Sequence, residues 1–335
     1  MPGNHIVQQG ENLTVIARKY GFPDWRVIYN HPNNQAFRKR RPDPNKIFPG
    51  DQIFIPNKTA GPVTPPPLVE FDLAVRDTIG KGGFPNLTLR LKLPSGTIKE
   101  VITDAHGAVE VKGPGITLGK VDILEITDKT ATPWIGYPSF AQTGLTMDKT
   151  HILDIPNKRK LINGIMSKHN IVRRGTWGAK TPNYSAMDED WDYATIVIHH
   201  SGNGGAKIPA EIEKKHMAEN HWDDVGYHFL IPPDGKIHEG RYLTFKGSHV
   251  EKANTGKIGI LVMGDFEHQV WDFDDDPTAA QLAAAEALIN TLKTAFPTVT
   301  KLGGHRDYKV GTECPGGELY KKLPGMRTHT QLGGP

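Results

Sequence analysis

Asp192-Tyr193-Ala194-Thr195-Ile196-Val197-Ile198-His199-His200-Ser201-Gly202 is an apolar run that ends on two histidines just where the chain turns. A short apolar run bounded by turn residues reads as a buried strand, and strand ends of this kind are common homes for metal ligands. Neighbouring residues on a strand point to opposite faces. One of His199 and His200 therefore enters any site at this strand end, and the other serves the core or supports the site from behind.

Later segments supply the rest of a layered domain. Gly226-Tyr227-His228-Phe229-Leu230-Ile231 reads as a second apolar strand, Asp234-Gly235 as a hairpin turn, and Lys257–Gly264 as a central strand. Thr278-Ala-Ala-Gln281 is a capping-box start, and Leu282, Ala285, Leu288, Ile289, Leu292 and Phe296 recur at helical spacing before Pro297. These elements predict an α/β domain over 158–335, with a mixed central sheet flanked by helices.

Cys314 is the single cysteine of the chain and follows His305 in a turn-rich stretch, Gly-Gly-His305-Arg-Asp-Tyr-Lys-Val-Gly-Thr312-Glu-Cys314-Pro-Gly. From the residues alone two readings stand: a thiolate that holds a metal together with imidazoles, or a buried inert thiol. A catalytic zinc takes three protein ligands and keeps one position open, so a third ligand from elsewhere decides between them. One cysteine also excludes an internal disulfide framework.

The first 57 residues have a different character. His5-Ile-Val7 reads as a strand, Asn12–Gly21 as a helix with a glycine stop, Trp25 to Tyr29 as a second helix, and Ile47–Pro56 as a turn and strand. The result is a βααβ unit with an insertion, Asn30 to Asn45, whose basic run Arg38-Lys-Arg-Arg41 is read as a solvated loop. A proline-rich linker, 58–67, comes next. Residues 68–157 then carry period-two runs, Phe71-Leu73-Val75, Leu87-Leu89-Leu91-Leu93, Val109-Val111 and Val121-Ile123-Ile126, punctuated by turn residues. That pattern predicts an antiparallel β-sandwich acting as a spacer.

Composition excludes several classes. The chain has 335 residues with a net charge of +3, compatible with an acidic polymer but not a nucleic-acid signature. No stretch approaches the length of a transmembrane segment, and Met1–Gly10 has neither a charged n-region nor an apolar h-region. We therefore expect a protein without signal peptide, made in the cytoplasm. The acidic run Asp272 to Asp276 reads as a solvated loop.

Two resemblances sharpen these readings. Residues 4 to 56, through Val7-Gln-Gln-Gly10, Ile16-Ala17 and Pro49-Gly50-Asp51-Gln-Ile-Phe-Ile55-Pro56, resemble the LysM module, which implies binding to glycan chains of peptidoglycan or chitin. Residues 170 to 325 resemble the zinc N-acetylmuramoyl-L-alanine amidases of the peptidoglycan-recognition-protein and phage amidase (amidase_2) family. The matching pieces are Arg174–Ala179, Val197–Ser201, Trp222–Phe229, Asp234–Arg241, Gly247-Ser-His249, Asn254 with Ile258-Gly-Ile260, Gly304-His305-Arg306 and Thr312–Gly316.

Carried over by position, the amidase resemblance implies Zn2+ on His199, His305 and Cys314, with Tyr227 and Thr312 as catalytic residues. His200, Trp222, His228, Arg241, His249 and Asn254 become candidate substrate contacts. Leu261 stands where some related amidases carry an acidic residue, so no carboxylate general base is in view. The implied activity is hydrolysis of the amide between N-acetylmuramic acid and L-alanine, with LysM as wall anchor. Two alternatives remain: a noncatalytic peptidoglycan-recognition protein, or cleavage of another stem-peptide amide. The domain order suggests an antibacterial effector of a type VI or related secretion apparatus, with a cognate immunity protein, or else an endolysin. Either would act at peptidoglycan in the periplasm or cell wall of a target cell, after injection or lysis.

Overall fold

A computed structural model of the protein describes residues 3–57, 70–112, 116–147, 150–202, 206–267 and 276–335. The expected linker, 58–67, and most of the acidic run lie outside the described residues. The chain divides into two compact units, Met1–Glu70 with Lys112–Ile116, and Phe71–Val111 with Thr117–Pro335.

In the first unit, Gly3–Ile6 and Gln52–Ile55 pair antiparallel, and the helices Leu13–Lys19 and Arg26–Tyr29 lie between them in sequence. Asn12 starts the first helix by accepting the Val15 N–H at 2.9 Å. Leu13, Ile16, Ala17, Ile28, Phe37, Ile53 and Ile55 form the core. The insertion is not the loop expected from its charge. Pro32–Asn34 and Gln35–Arg40 are helical, with Phe37 buried. Arg38 donates to the carbonyls of Tyr29 and His31, and Arg41 Nε donates to Asp51 at 2.9 Å. These cations serve local structure, because a guanidinium reaches carbonyls and carboxylates across a turn that a charge count does not reveal.

The period-two runs of the middle segment form two sheets, each with alternate residues buried. Lys120–Asp128 lies between Gln142–Thr146 and Thr88–Lys92, with Ile98–Ile102 beyond, all antiparallel. In the other sheet Phe71–Asp77 pairs antiparallel with Ala108–Val111 but parallel with Thr150–Ile155. The expectation of a wholly antiparallel arrangement is corrected there. Period-two burial specifies a face and not a direction, and the parallel strand carries the chain straight into the helix Lys158–Lys168. Lys158 joins the middle segment to the C-terminal one: its ammonium donates to the Gly136 carbonyl at 2.8 Å and lies over the rings of Tyr137 and Trp191.

The last segment holds a five-stranded sheet in the order His238–Glu239, Phe229–Ile231, Lys257–Val262, Thr195–His200, Lys301–Gly304. Only the first pair is antiparallel. Thr195–His200 is paired on both edges with parallel strands, which is why its residues read as a continuous apolar run. Ala279–Ala295 and Gly317–Thr330 are the long helices packed on the core. Gln281 both closes the predicted capping box and donates to the Ile231 and Met263 carbonyls, fixing the helix start against two strand ends. Among the described residues no helix is long and apolar enough to cross a membrane.

Candidate metal centre

The register of two parallel strands creates the site. Ile198 pairs with Gly304, so His199 and His305, each one residue further on, emerge side by side at the carboxyl ends of neighbouring strands. Their ring centroids are 4.7 Å apart. Cys314 is folded back onto them by Arg306, whose N–H donates to the Cys314 carbonyl at 2.8 Å. Gly304 permits the approach, since a Cβ there would stand 2.7 Å from Pro315 Cδ. One donor atom from each of His199, His305 and Cys314 lies within 4.8 Å of the others.

Each donor is prepared for a ligand. The Cys314 sulfur is 3.6 Å from His199 Nδ1 and receives the His200 N–H at 3.5 Å. Burial pushes its thiol up, to about 12, so it needs a cation to become a thiolate at neutral pH. His305 Nε2 is buried without a hydrogen-bond partner. Burial, then Lys309 and His200, bring His305 down to about 4, and burial with the neighbouring histidines holds His199 well below the usual range. Two neutral imidazoles, one of them with an orphaned buried nitrogen, and one thiol are the donor set that suits zinc, with a position left open.

Tyr227 packs its ring 5.0 Å from His199. Burial raises its phenol above the ordinary value, with the Cys314 charge adding to it, so the hydroxyl remains a donor at neutral pH. Thr312 Oγ1 accepts the Cys314 N–H at 3.3 Å, leaving its own O–H to donate elsewhere. Leu261 is buried with Ile212, Val225, Leu230 and Met263 in an apolar cluster.

The six candidate substrate contacts separate. Trp222 is 39% exposed, its ring 4.4 Å from that of His216, and it lines a surface cavity of about 280 Å³ with Asp223, Lys246, Ser248 and Asn254. Asn254 turns its amide oxygen inward to accept the N–H groups of His249 and Val250. The His200 imidazole points away from the triad, accepting the Phe266 N–H at 3.2 Å and lying 3.7 Å from Asp265. The other three make their hydrogen bonds within the protein. His228 is 0% exposed, accepting from Gly259 N–H and donating to the Phe245 carbonyl. Arg241 borders the cavity, but its nitrogens donate to the carbonyls of Val225, Lys246 and Asp224. His249 is 6% exposed, bonded to His199 and to the Lys257 carbonyl. The imidazoles of His228 and His249 are engaged beneath the surface, whereas Arg241 also lines the cavity.

Two residues were not found from the sequence. His216 sits between Trp222 and Tyr227 and accepts the Gly226 N–H at 3.1 Å; burial, then Lys215 and Arg241, bring it down to about 4. Asp224, wholly buried, pairs with Arg174 at 2.8 Å and lies 4.0 Å from Arg241. A single histidine in one turn of π-helix, or a single aspartate in an irregular segment, carries no periodicity that would mark it.

Comparison with known proteins finds relatives of the C-terminal domain. The profile described as N-acetylmuramoyl-L-alanine amidase matches residues 190–317. Peptidoglycan-recognition protein LB of Drosophila melanogaster is 31% identical over 172 residues, 48% of this chain and 71% of that protein. Peptidoglycan recognition protein 1 of Bos taurus is 34% identical over 163 residues, 45% of this chain and 81% of that protein. Among solved structures, the N-acetylmuramoyl-L-alanine amidase LysC from Clostridium intestinale is 26% identical, covering 49% of this chain and 98% of its own, with a TM-score of 0.42. The chain belongs, through its C-terminal domain, to the family of peptidoglycan-recognition proteins and N-acetylmuramoyl-L-alanine amidases.

Proposed function

We propose that the protein is a zinc-dependent peptidoglycan hydrolase that cleaves the amide between N-acetylmuramic acid and L-alanine. The observation that carries this reading is the convergence of His199, His305 with its unpartnered Nε2, and Cys314 beside the Tyr227 ring. His199, His305 and Cys314 would hold zinc, which would supply a Lewis acid for the scissile carbonyl and would acidify a water to a pKa of about 7. Tyr227, kept protonated by burial, donates a hydrogen bond to the oxygen on which negative charge develops. Thr312, whose oxygen accepts the Cys314 N–H, keeps a hydroxyl proton to donate. With Leu261 inside an apolar cluster, the strand Lys257–Val262 offers no carboxylate at that position to take the proton.

The N-terminal unit is read as a LysM module that keeps the enzyme on glycan strands, and the middle β-sandwich as a spacer. The exposed Ile6, Val15 and Phe48 of the first unit support a binding role for it. Delivery by a secretion apparatus, with an immunity protein against it, or release by lysis, completes the proposal; both rest on the order of the domains. The noncatalytic reading is disfavoured because all three metal donors are in place. Mass spectrometry of digested sacculi tests the bond. Muramic acid with a free lactyl carboxyl, together with stem peptides beginning in alanine, is expected; scission within the stem peptide would replace this reading with the other amidase.

A further inference from the structure

We infer that His249 is a positioning residue that fixes the tautomer and orientation of His199. The inference rests on the zinc reading above. It comes from a chain of hydrogen bonds in which one end can only accept. His249 Nε2 lies 3.3 Å from the Lys257 carbonyl, so that nitrogen carries the proton. In a neutral imidazole the other nitrogen is then bare, and His249 Nδ1 accepts from His199 Nε2 at 2.9 Å. His199 Nε2 is therefore protonated and His199 Nδ1 bare, and Nδ1 is the atom that stands 3.6 Å from the Cys314 sulfur. A backbone carbonyl thus decides, through one imidazole, which way the lone pair of another points.

The surroundings hold His249 in that role. Gly247 and Gly259 leave it room: a Cβ at Gly247 would stand 2.3 Å from its Cδ2, and one at Gly259 would stand 2.7 Å from the same atom. Asn254 fixes its backbone by accepting both the His249 and Val250 N–H groups. Two glycines and an asparagine thereby serve one ring. Its burial leaves no free face for substrate.

Zinc affinity of the full chain, measured by competition with a chromophoric chelator, tests this. His249→Leu removes the acceptor and should weaken binding about 10- to 100-fold, the usual cost of losing such a partner. His249→Asn places an amide oxygen near the Nδ1 position and should recover most of the affinity. Equal loss in both variants, or no loss in His249→Leu, overturns the inference. Cys314→Ser separates it from the zinc reading: wild type binding no better than Cys314→Ser would sink the metal site itself. Nitrogen-15 NMR of the metal-free wild type gives a result that does not depend on any variant folding. His199 should show protonated Nε2 and bare Nδ1, and the reverse tautomer overturns the proposal.

Discussion

His228 and His249 have ring centroids 5.9 Å apart beside the strand Lys257–Val262, and both are buried with both nitrogens bonded. One bridges two elements of the fold and the other reaches His199. His228 joins the Gly259 N–H to the Phe245 carbonyl, holding a strand to a loop. His249 makes the same kind of bridge, but one of its partners is His199. Burial and hydrogen bonding thus do not distinguish a histidine of the fold from a histidine of the site; the identity of the partner does.

The largest expected separation comes from His228→Leu. It leaves the Gly259 N–H buried without a partner and the Phe245 carbonyl with only the Tyr193 hydroxyl at 3.4 Å, which costs about 2–4 kcal/mol of stability. Urea unfolding should show that loss while zinc affinity at low denaturant changes by less than about threefold. A matching fall in zinc affinity would erase the distinction between the two histidines.

Acid separates wild type from His228→Leu by a smaller amount. Burial brings the folded-state pKa of His228 to about 3 and that of His216 to about 4, against an ordinary value of 6.5. As pH falls below 6.5 the unfolded chain takes up protons that the folded protein refuses. Stability is therefore complete above 6.5, declines as pH drops, and levels off only below about 4 to 3, with a loss on the order of 2–3 kcal/mol for each of the two histidines by pH 4.5. The decline should be shallower in His228→Leu, which has one refusing group fewer. Equal slopes in the two proteins would show that His228 does not resist protonation.

The same contrast explains what the sequence revealed. The strand ending in His199-His200 and the stretch from His305 to Cys314 are legible because parallel strand ends and tight loops deliver adjacent ligands, a constraint that leaves its pattern in apolar runs and glycines. Which of the two adjacent histidines enters the site follows only in part from alternation; the deciding fact is that His200 turns toward Asp265 and Phe266. The internal partners of His228, Arg241 and His249 resist reading because position along a chain does not say whether a polar group meets carbonyls or solvent. The direction of Thr150–Ile155 and the helix Gln35–Arg40 were hidden for a similar reason, since period and charge specify faces and not partners.

The decisive measurement is release of stem peptide from purified sacculi by the zinc-loaded wild type and by Cys314→Ser, with pelleting of each protein on the sacculi. Wild type should cut, and Cys314→Ser should pellet equally while releasing no peptide. Undiminished release by Cys314→Ser would contradict a zinc site built from His199, His305 and Cys314.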